Sequence, residues 1–312
     1  MEKISCELLL RDYPKVSEVK DLRSTFIANC VFNSFLSYTA IMLNIVTIHA
    51  IRKTSSLAKT SKTLLLSLAV SDVCVGLLSQ PFYISLLVMW LQQNNLGCKA
   101  YAMFTVVISV FSLASFLGVV ALSLDRFLAI HLHLRYQELM THKRVVAAVI
   151  SIWLLSVFFP LMIFWAGYDI YYLVEFLLGV VSLVLTAMVN VKIYLTVQRH
   201  KNQIQVLQVQ QEAQTDDMAH FACLIKSALS VFYVYVTFVV CYLPYFISVV
   251  VIESNGPNIA LKRFSLFSLT LIHLNSSLNP VIYCWKMRHI RHAIMNILRN
   301  MPWLRNRASH LS

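Results

Sequence analysis

Seven long apolar runs alternate with short polar connections along the chain, at residues 26–50, 64–91, 100–124, 145–165, 171–191, 228–252 and 264–283. Each reaches the roughly 20 residues that a helix needs to cross the hydrocarbon of a bilayer. The pattern predicts an all-α membrane protein, a seven-transmembrane helix bundle over residues 24–286, with an N-terminal segment at 1–23 and a tail at 287–312. Early in that tail, Ile290, Ile294, Ile297, Leu298 and Met301 recur on one helical face, while Arg288, Arg291, His292 and Arg299 fall elsewhere. This stretch is too polar to span, so it predicts a short amphipathic eighth helix lying on the inner leaflet, stopped by Pro302.

Composition sharpens the reading. The chain is 58% hydrophobic and only 13% charged, against roughly a quarter charged in soluble domains. Most of the 26 basic residues fall on one side of the seven runs if the N-terminus is outside, and the outer segments balance their charges. The positive-inside bias therefore predicts a multi-pass plasma-membrane protein with an outer N-terminus and a cytoplasmic C-terminus. Anionic inner-leaflet lipid and cytosolic partners account for the net charge of +12 without a nucleic-acid partner.

Residues 1–23 lack the apolar core of a cleaved signal peptide, so the first run is expected to act as its own insertion signal. Of seven cysteines, Cys6 and Cys98 are expected on the oxidising side, which leaves a disulfide between them open. Residues 201–220 are glutamine-rich without Pro or Gly, and should continue spans five and six as solvated helices. Pro81, Pro160, Pro244 and Pro280 sit inside spans two, four, six and seven, where each removes a backbone hydrogen bond and bends its helix. Polar neighbours make Pro244 and Pro280 the candidate hinges.

Ordered polar residues punctuate the spans: Asn44; Leu68-Ala69-Val70-Ser71-Asp72; Asp125-Arg126-Phe127; Trp153; Cys241-Tyr242-Leu243-Pro244; and Asn275-Ser276 with Asn279-Pro280-Val281-Ile282-Tyr283. One set per helix, in this order, resembles the rhodopsin-like (class A) G-protein-coupled receptors over about residues 25–300. The resemblance implies a receptor that binds an extracellular ligand within the bundle and activates a heterotrimeric G-protein. Asp125, Arg126, Phe127, Tyr242, Pro244, Asn279, Pro280 and Tyr283 would carry activation. Arg126 is expected to pair with Asp125 at rest and to swing toward Tyr283 on activation.

Asp72, Ser115, Asn275, Ser276 and Asn279 offer one carboxylate and several neutral oxygens, a set that suits a small hard cation. The resemblance makes that ion sodium; simple hydrogen bonding of Asp72 to Asn44, Asn275 and Asn279 is the other reading. No other cofactor is expected.

Departures from the family pattern matter too. Phe127 replaces a tyrosine, Leu224 stands where many relatives place the acid that clamps the arginine, Tyr242 replaces a tryptophan, and Asn190 replaces a tyrosine. The missing clamp predicts raised basal signalling. The Tyr242 hydroxyl would look to His273 or Asn275.

Carried over position by position, the ligand-binding residues are Tyr101, Thr105, Ile108, Ser109, Ser112, Tyr245, Phe246, Val249, Leu269 and His273, with Val174 and Leu178 from span five. Ile108 replaces the aspartate that amine receptors use. A very short second outer loop without cysteine resembles melanocortin and lipid receptors, whereas His273 and Leu134-Arg135-Tyr136 resemble adenosine receptors. The largely apolar set suggests a lipid-like or small apolar ligand, with His273 as its polar handle or as a packed core residue. A transporter would need more intramembrane ionisable groups than Asp72 and Glu175. No enzyme motif is present. A receptor that fails to couple is the nearer alternative.

Overall fold

A computed structural model describes residues 14–54, 57–94, 98–132, 135–208 and 215–299, with backbone alone at 16, 137, 200–208, 215–228 and 298. Span one is Val19–Lys53; span two is Lys59–Cys74, continued by a π-helical turn Val75–Ser79 and Gln80–Leu91; span three is Cys98–His131. After a one-turn helix at Tyr136–Leu139 come span four, His142–Phe158 with a 3-10 turn Pro160–Phe164, span five, Tyr168–Gln208, span six, Thr215–Asn255, span seven, Ile259–Lys286, and an eighth helix, Arg288–Arg299. No strand occurs among the described residues.

Most of the helices outrun the apolar stretches, because a helix started in lipid continues wherever propensity allows; spans two and four do so only at their N-terminal ends. Span five reaches Gln208 and span six begins at Thr215, so both extend into the glutamine-rich segment as expected, with 209–214 outside the described residues. Among the described residues, six helices are long and apolar enough to cross a membrane by length and composition alone. Span seven is more polar, carrying His273, Asn275, Ser276, Ser277 and Asn279 within it, and it is packed between spans one and six.

Prolines act differently in different spans. Pro81 cannot donate to the carbonyl four residues earlier, and the helix absorbs this with the wide turn Val75–Ser79. Ser37 Oγ donates to the Gly76 carbonyl at 2.8 Å, satisfying a group within the disturbed turn. A Cβ on Gly76 would stand 2.8 Å from Ile41 Cγ1, so glycine is what lets spans one and two approach here. Pro160 does not kink span four; it ends the α-helix and opens the 3-10 turn. Pro244 and Pro280 lie inside continuous helices, as hinges require.

The outer ends are tied together. Lys262 Nζ of span seven pairs with Glu18 at 2.7 Å although Lys262 is buried, and Arg263 donates to the Asp21 carbonyl at 3.0 Å. Burial alone would raise the Glu18 carboxyl, but the Lys15 amide and Lys262 together hold it below the usual carboxylate range. Cys98 is disulfide-bonded; Cys30, Cys74, Cys241 and Cys284 are free, and Cys6 lies outside the described residues.

The eighth helix corrects one expectation. Ile290 is fully buried and Ile294 and Ile297 pack on the bundle core against span one, so part of the apolar face meets protein and is not free for a leaflet.

Candidate functional site

Three polar or hollow zones lie one below another in the bundle. The outermost is a cavity of about 440 Å³, walled by Thr105, Ile108 and Ser109 of span three, Phe176 of span five, Tyr245 and Val249 of span six and Leu269 of span seven. A deeper void of about 80 Å³ shares part of this wall and adds Ser112, Glu175, Tyr242, Phe246 and Ile272.

Eight of the ten ligand residues expected from sequence thus line the hollow; Tyr101 and His273 do not. Tyr101 is buried, and its hydroxyl accepts from Trp90 Nε1 at 2.6 Å. His273 is buried between spans one, two and seven, with Nδ1 2.8 Å from Asn33 Oδ1 and Nε2 3.2 Å from Ser79 Oγ. An amide oxygen only accepts, so Nδ1 carries the proton and Nε2 accepts from the serine. His273 is therefore a satisfied core residue, and the sequence expectation of a ligand handle is corrected.

Span five is corrected as well. Leu178 is exposed on the outside of the bundle, and Leu173, Glu175 and Phe176 face the hollow instead. Glu175 Oε1 accepts from Ser109 at 3.1 Å, and Ser109 Oγ in turn accepts from the Tyr171 hydroxyl at 2.7 Å.

The floor of the void is aromatic. Tyr242 stacks on Phe238 at 3.9 Å between centroids, and Phe238 stacks on Phe116 at 5.0 Å. The Tyr242 hydroxyl is turned to Ser112, and not to His273 or Asn275. Gly179 makes room for Phe246, whose ring atoms would lie 2.7 and 2.9 Å from an added Cβ. Gly179→Ala is therefore expected to push Phe246 into the void and to destabilise the bundle by about 1–3 kcal/mol, the usual range for overpacking. A melting curve of the solubilised variant checks this, and an unchanged midpoint would contradict it.

The middle zone surrounds Asp72, which is fully buried. Asn279 Nδ2 donates to Asp72 Oδ2 at 2.9 Å, and Ser276 and Ser115 also reach the carboxylate. Asn44 donates to the Ser276 carbonyl at 2.8 Å, tying span one to span seven. Four of the five expected residues so converge on one point, and Asn275 is buried nearby in sequence with its Oδ1 unsatisfied. Asp72 Oδ1, Asn44 Oδ1, Asn279 Oδ1 and the Tyr283 hydroxyl also lack partners. Buried orphan oxygens are costly, so water or an ion belongs here. An all-oxygen set with one carboxylate fits sodium.

The innermost zone holds Arg126, which is 6% exposed. Its Nε donates to Asp125 Oδ2 at 3.0 Å, and its Nη2 to both Asp125 and Ser61. Tyr136, from the one-turn helix of the inner loop, donates to the other carboxylate oxygen at 2.6 Å and meets Thr60 at 3.2 Å. Burial, then the Asp125 charge, push the Tyr136 phenol up to about 12, so it remains a proton donor at physiological pH. Nearby, Asn190 of span five donates to Ser123 of span three at 3.1 Å. The side chains of Leu224 and Lys226, and residues His133 and Leu134, lie outside the description.

Residues 43–283 match the model of the 7 transmembrane receptor (rhodopsin family). The chain belongs to that family. Among curated proteins, this receptor is 34% identical to "Adenosine receptor A2b" of Gallus gallus over 135 residues, 43% of this chain and 38% of that one. It is 25% identical to "Adenosine receptor A2a" of Canis lupus familiaris over 85% of this chain and 70% of that one. With "Adenosine receptor A3" of Ovis aries the identity is 24%, over 83% and 86%. The receptor is a multi-pass membrane protein and not an enzyme, and its family signals through G-proteins in answer to extracellular ligands.

Sequence reasoning gave no site role to three residues that the structure brings into these zones. Tyr136 and Ser61 complete the arginine lock, and Glu175 faces the hollow. Only Glu175 carried a signal, as an acid inside an apolar run. Tyr136 and Ser61 are ordinary residues locally, and their roles come from helices that meet only in the fold.

Proposed function

We propose that this receptor lies in the plasma membrane with its N-terminus outside, takes a small extracellular ligand into the outer cavity, and activates a heterotrimeric G-protein by freeing Arg126. The observation that carries this reading is vertical continuity. The cavity floor at Tyr242 stacks on Phe238, which in turn stacks on Phe116; Tyr242 lies two residues before Pro244 in span six, and Asp72, Asn279 and Tyr283 follow beneath toward the Arg126 lock. A ligand pressing on Tyr242 or Phe246 acts on the hinge of span six, whose inner end must move for a partner to enter.

Ligand contacts would come from Thr105, Ile108, Ser109, Ser112, Tyr245, Phe246, Val249 and Leu269. The wall is chiefly apolar, which suits a ligand with an apolar body, while Glu175 gives it at least one polar end. Asp72, Ser115, Asn275, Ser276 and Asn279 would hold a sodium ion, which supplies positive charge against the buried carboxylate. With leucine at position 224 in place of the acid that many relatives carry, ligand-independent exchange is proposed to exceed that of mock cells.

Nucleotide exchange on a panel of purified G-proteins, with Arg126→Ala as the control, tests the reading. Exchange above the empty-membrane level that Arg126→Ala removes supports coupling. A receptor that reaches the surface and promotes exchange on no G-protein would be a non-coupling one, and the proposal would fall.

A further inference from the structure

The hollow contains a carboxylate that the activation route does not use. Glu175 sits in the outer half of span five, facing the deeper void. Ionisable groups at this depth are costly unless paired, and those that persist face the interior and mark a site. Among the described residues, no basic side chain pairs with it. The base on the cavity rim, Lys262, is engaged by Glu18.

The hydrogen bonds around Glu175 are arranged in one direction. The Tyr171 hydroxyl gives its proton to Ser109, which leaves the Ser109 proton to go to Glu175 Oε1. Tyr171 is fully buried, so the chain starts from a fixed point in the core. A carboxylate has about four acceptor positions, and Ser109 and Tyr171 reach it from one side only, so acceptor capacity is left for something in the void. The neighbouring rings of Tyr242, Tyr245 and Phe246 give that occupant apolar and π surfaces, which also favour a cation.

We propose that Glu175 is the anchor for a small amphipathic cation, a protonated amine or amidine on an aromatic or aliphatic body, with Ser109 and Tyr171 holding the carboxylate in place. This deepens the ligand site proposed above and rests on it. Ile108 removes the counter-ion at the span-three position where amine receptors carry aspartate, and the charge comes instead from span five, hydrogen-bonded to the very next residue, Ser109. The body would lie toward Phe176, Val249 and Leu269, where the larger cavity opens.

Matched probes separate charge from shape. Full-length solubilised receptor is melted with tryptamine or 2-phenylethylamine, and with their alcohol counterparts tryptophol and 2-phenylethanol. The amines are expected to raise the melting midpoint at concentrations about 10- to 100-fold lower than the alcohols, the range a charge-assisted hydrogen bond supplies. Glu175→Gln should erase that preference by weakening the amines alone. If Glu175→Gln does not yield folded protein, Glu175→Asp keeps the charge but withdraws it by one methylene, and should weaken the amines by a smaller factor. Amines no better than alcohols on the unaltered receptor, no shift with any amine, or an undiminished preference in the variants would overturn the assignment. Melting reads binding alone: amines that stabilise without promoting exchange would sink coupling and spare the anchor, and exchange driven by a neutral ligand with no amine shift would do the reverse.

Discussion

Asp125→Asn is expected to raise ligand-independent nucleotide exchange about tenfold or more. Asp125 is fully buried and holds Arg126, Ser61 and Tyr136 at once. An asparagine keeps the shape but loses the charge, and it can accept at one atom only. Hydrogen bonds to a charged group contribute about 1.5–3 kcal/mol each, while a tenfold shift in a two-state equilibrium takes about 1.4 kcal/mol. The loss of even one such contact is therefore enough, because the freed guanidinium is driven from its pocket toward the wet inner face. Tyr136→Phe removes the 2.6 Å contact to Asp125 and the 3.2 Å contact to Thr60 but leaves the carboxylate charge on Arg126, and should give a smaller rise in the same direction. Basal exchange equal to that of the unaltered receptor at matched surface expression would show that this cluster does not restrain the resting state. Part of the gain will be offset by instability, since breaking a buried ion pair by removing one partner costs about 3–5 kcal/mol.

The difference between what sequence told and what it hid lies in helix rotation. The membrane imposes length and apolarity on each span, and both are written locally, so seven helices and an amphipathic eighth were legible. Motif residues such as Asp72, Arg126 and Asn279 were legible too, because a polar residue in lipid must face inward. Which face an apolar residue presents is another matter. Span five is apolar nearly all round, so no stripe marks its inner side, and Leu178 was assigned inward when it faces out. Its rotation is set by packing against neighbours, such as the fit of Phe246 over Gly179. Span two adds a register change at Val75–Ser79; after it, Ser79 meets His273 and draws that ring away from the cavity. Neither event leaves a trace in a single helix read alone.

The same geometry separates the two readings of Asp72. Asn279 satisfies one carboxylate oxygen, and the other is left without a settled partner, together with oxygens of Asn44, Asn275 and Asn279. If hydrogen bonding alone were the purpose, a buried amide at position 72 would serve nearly as well and the orphan oxygens would be a pure cost. If a cation belongs there, the same oxygens become its ligands. Asp72→Asn should therefore abolish sodium sensitivity. The unaltered receptor should melt higher in sodium chloride than in potassium or choline chloride at equal ionic strength, by about 1.4 kcal/mol at a sodium concentration ten times the Kd. The variant should melt at one temperature in all three salts, and its exchange activity should no longer fall as sodium rises. Equal melting of the unaltered receptor in the three salts would leave Asp72 a purely hydrogen-bonded residue. A variant that still responds to sodium would place the ion elsewhere, because a site whose one carboxylate has gone retains only neutral oxygens to meet a hydrated cation.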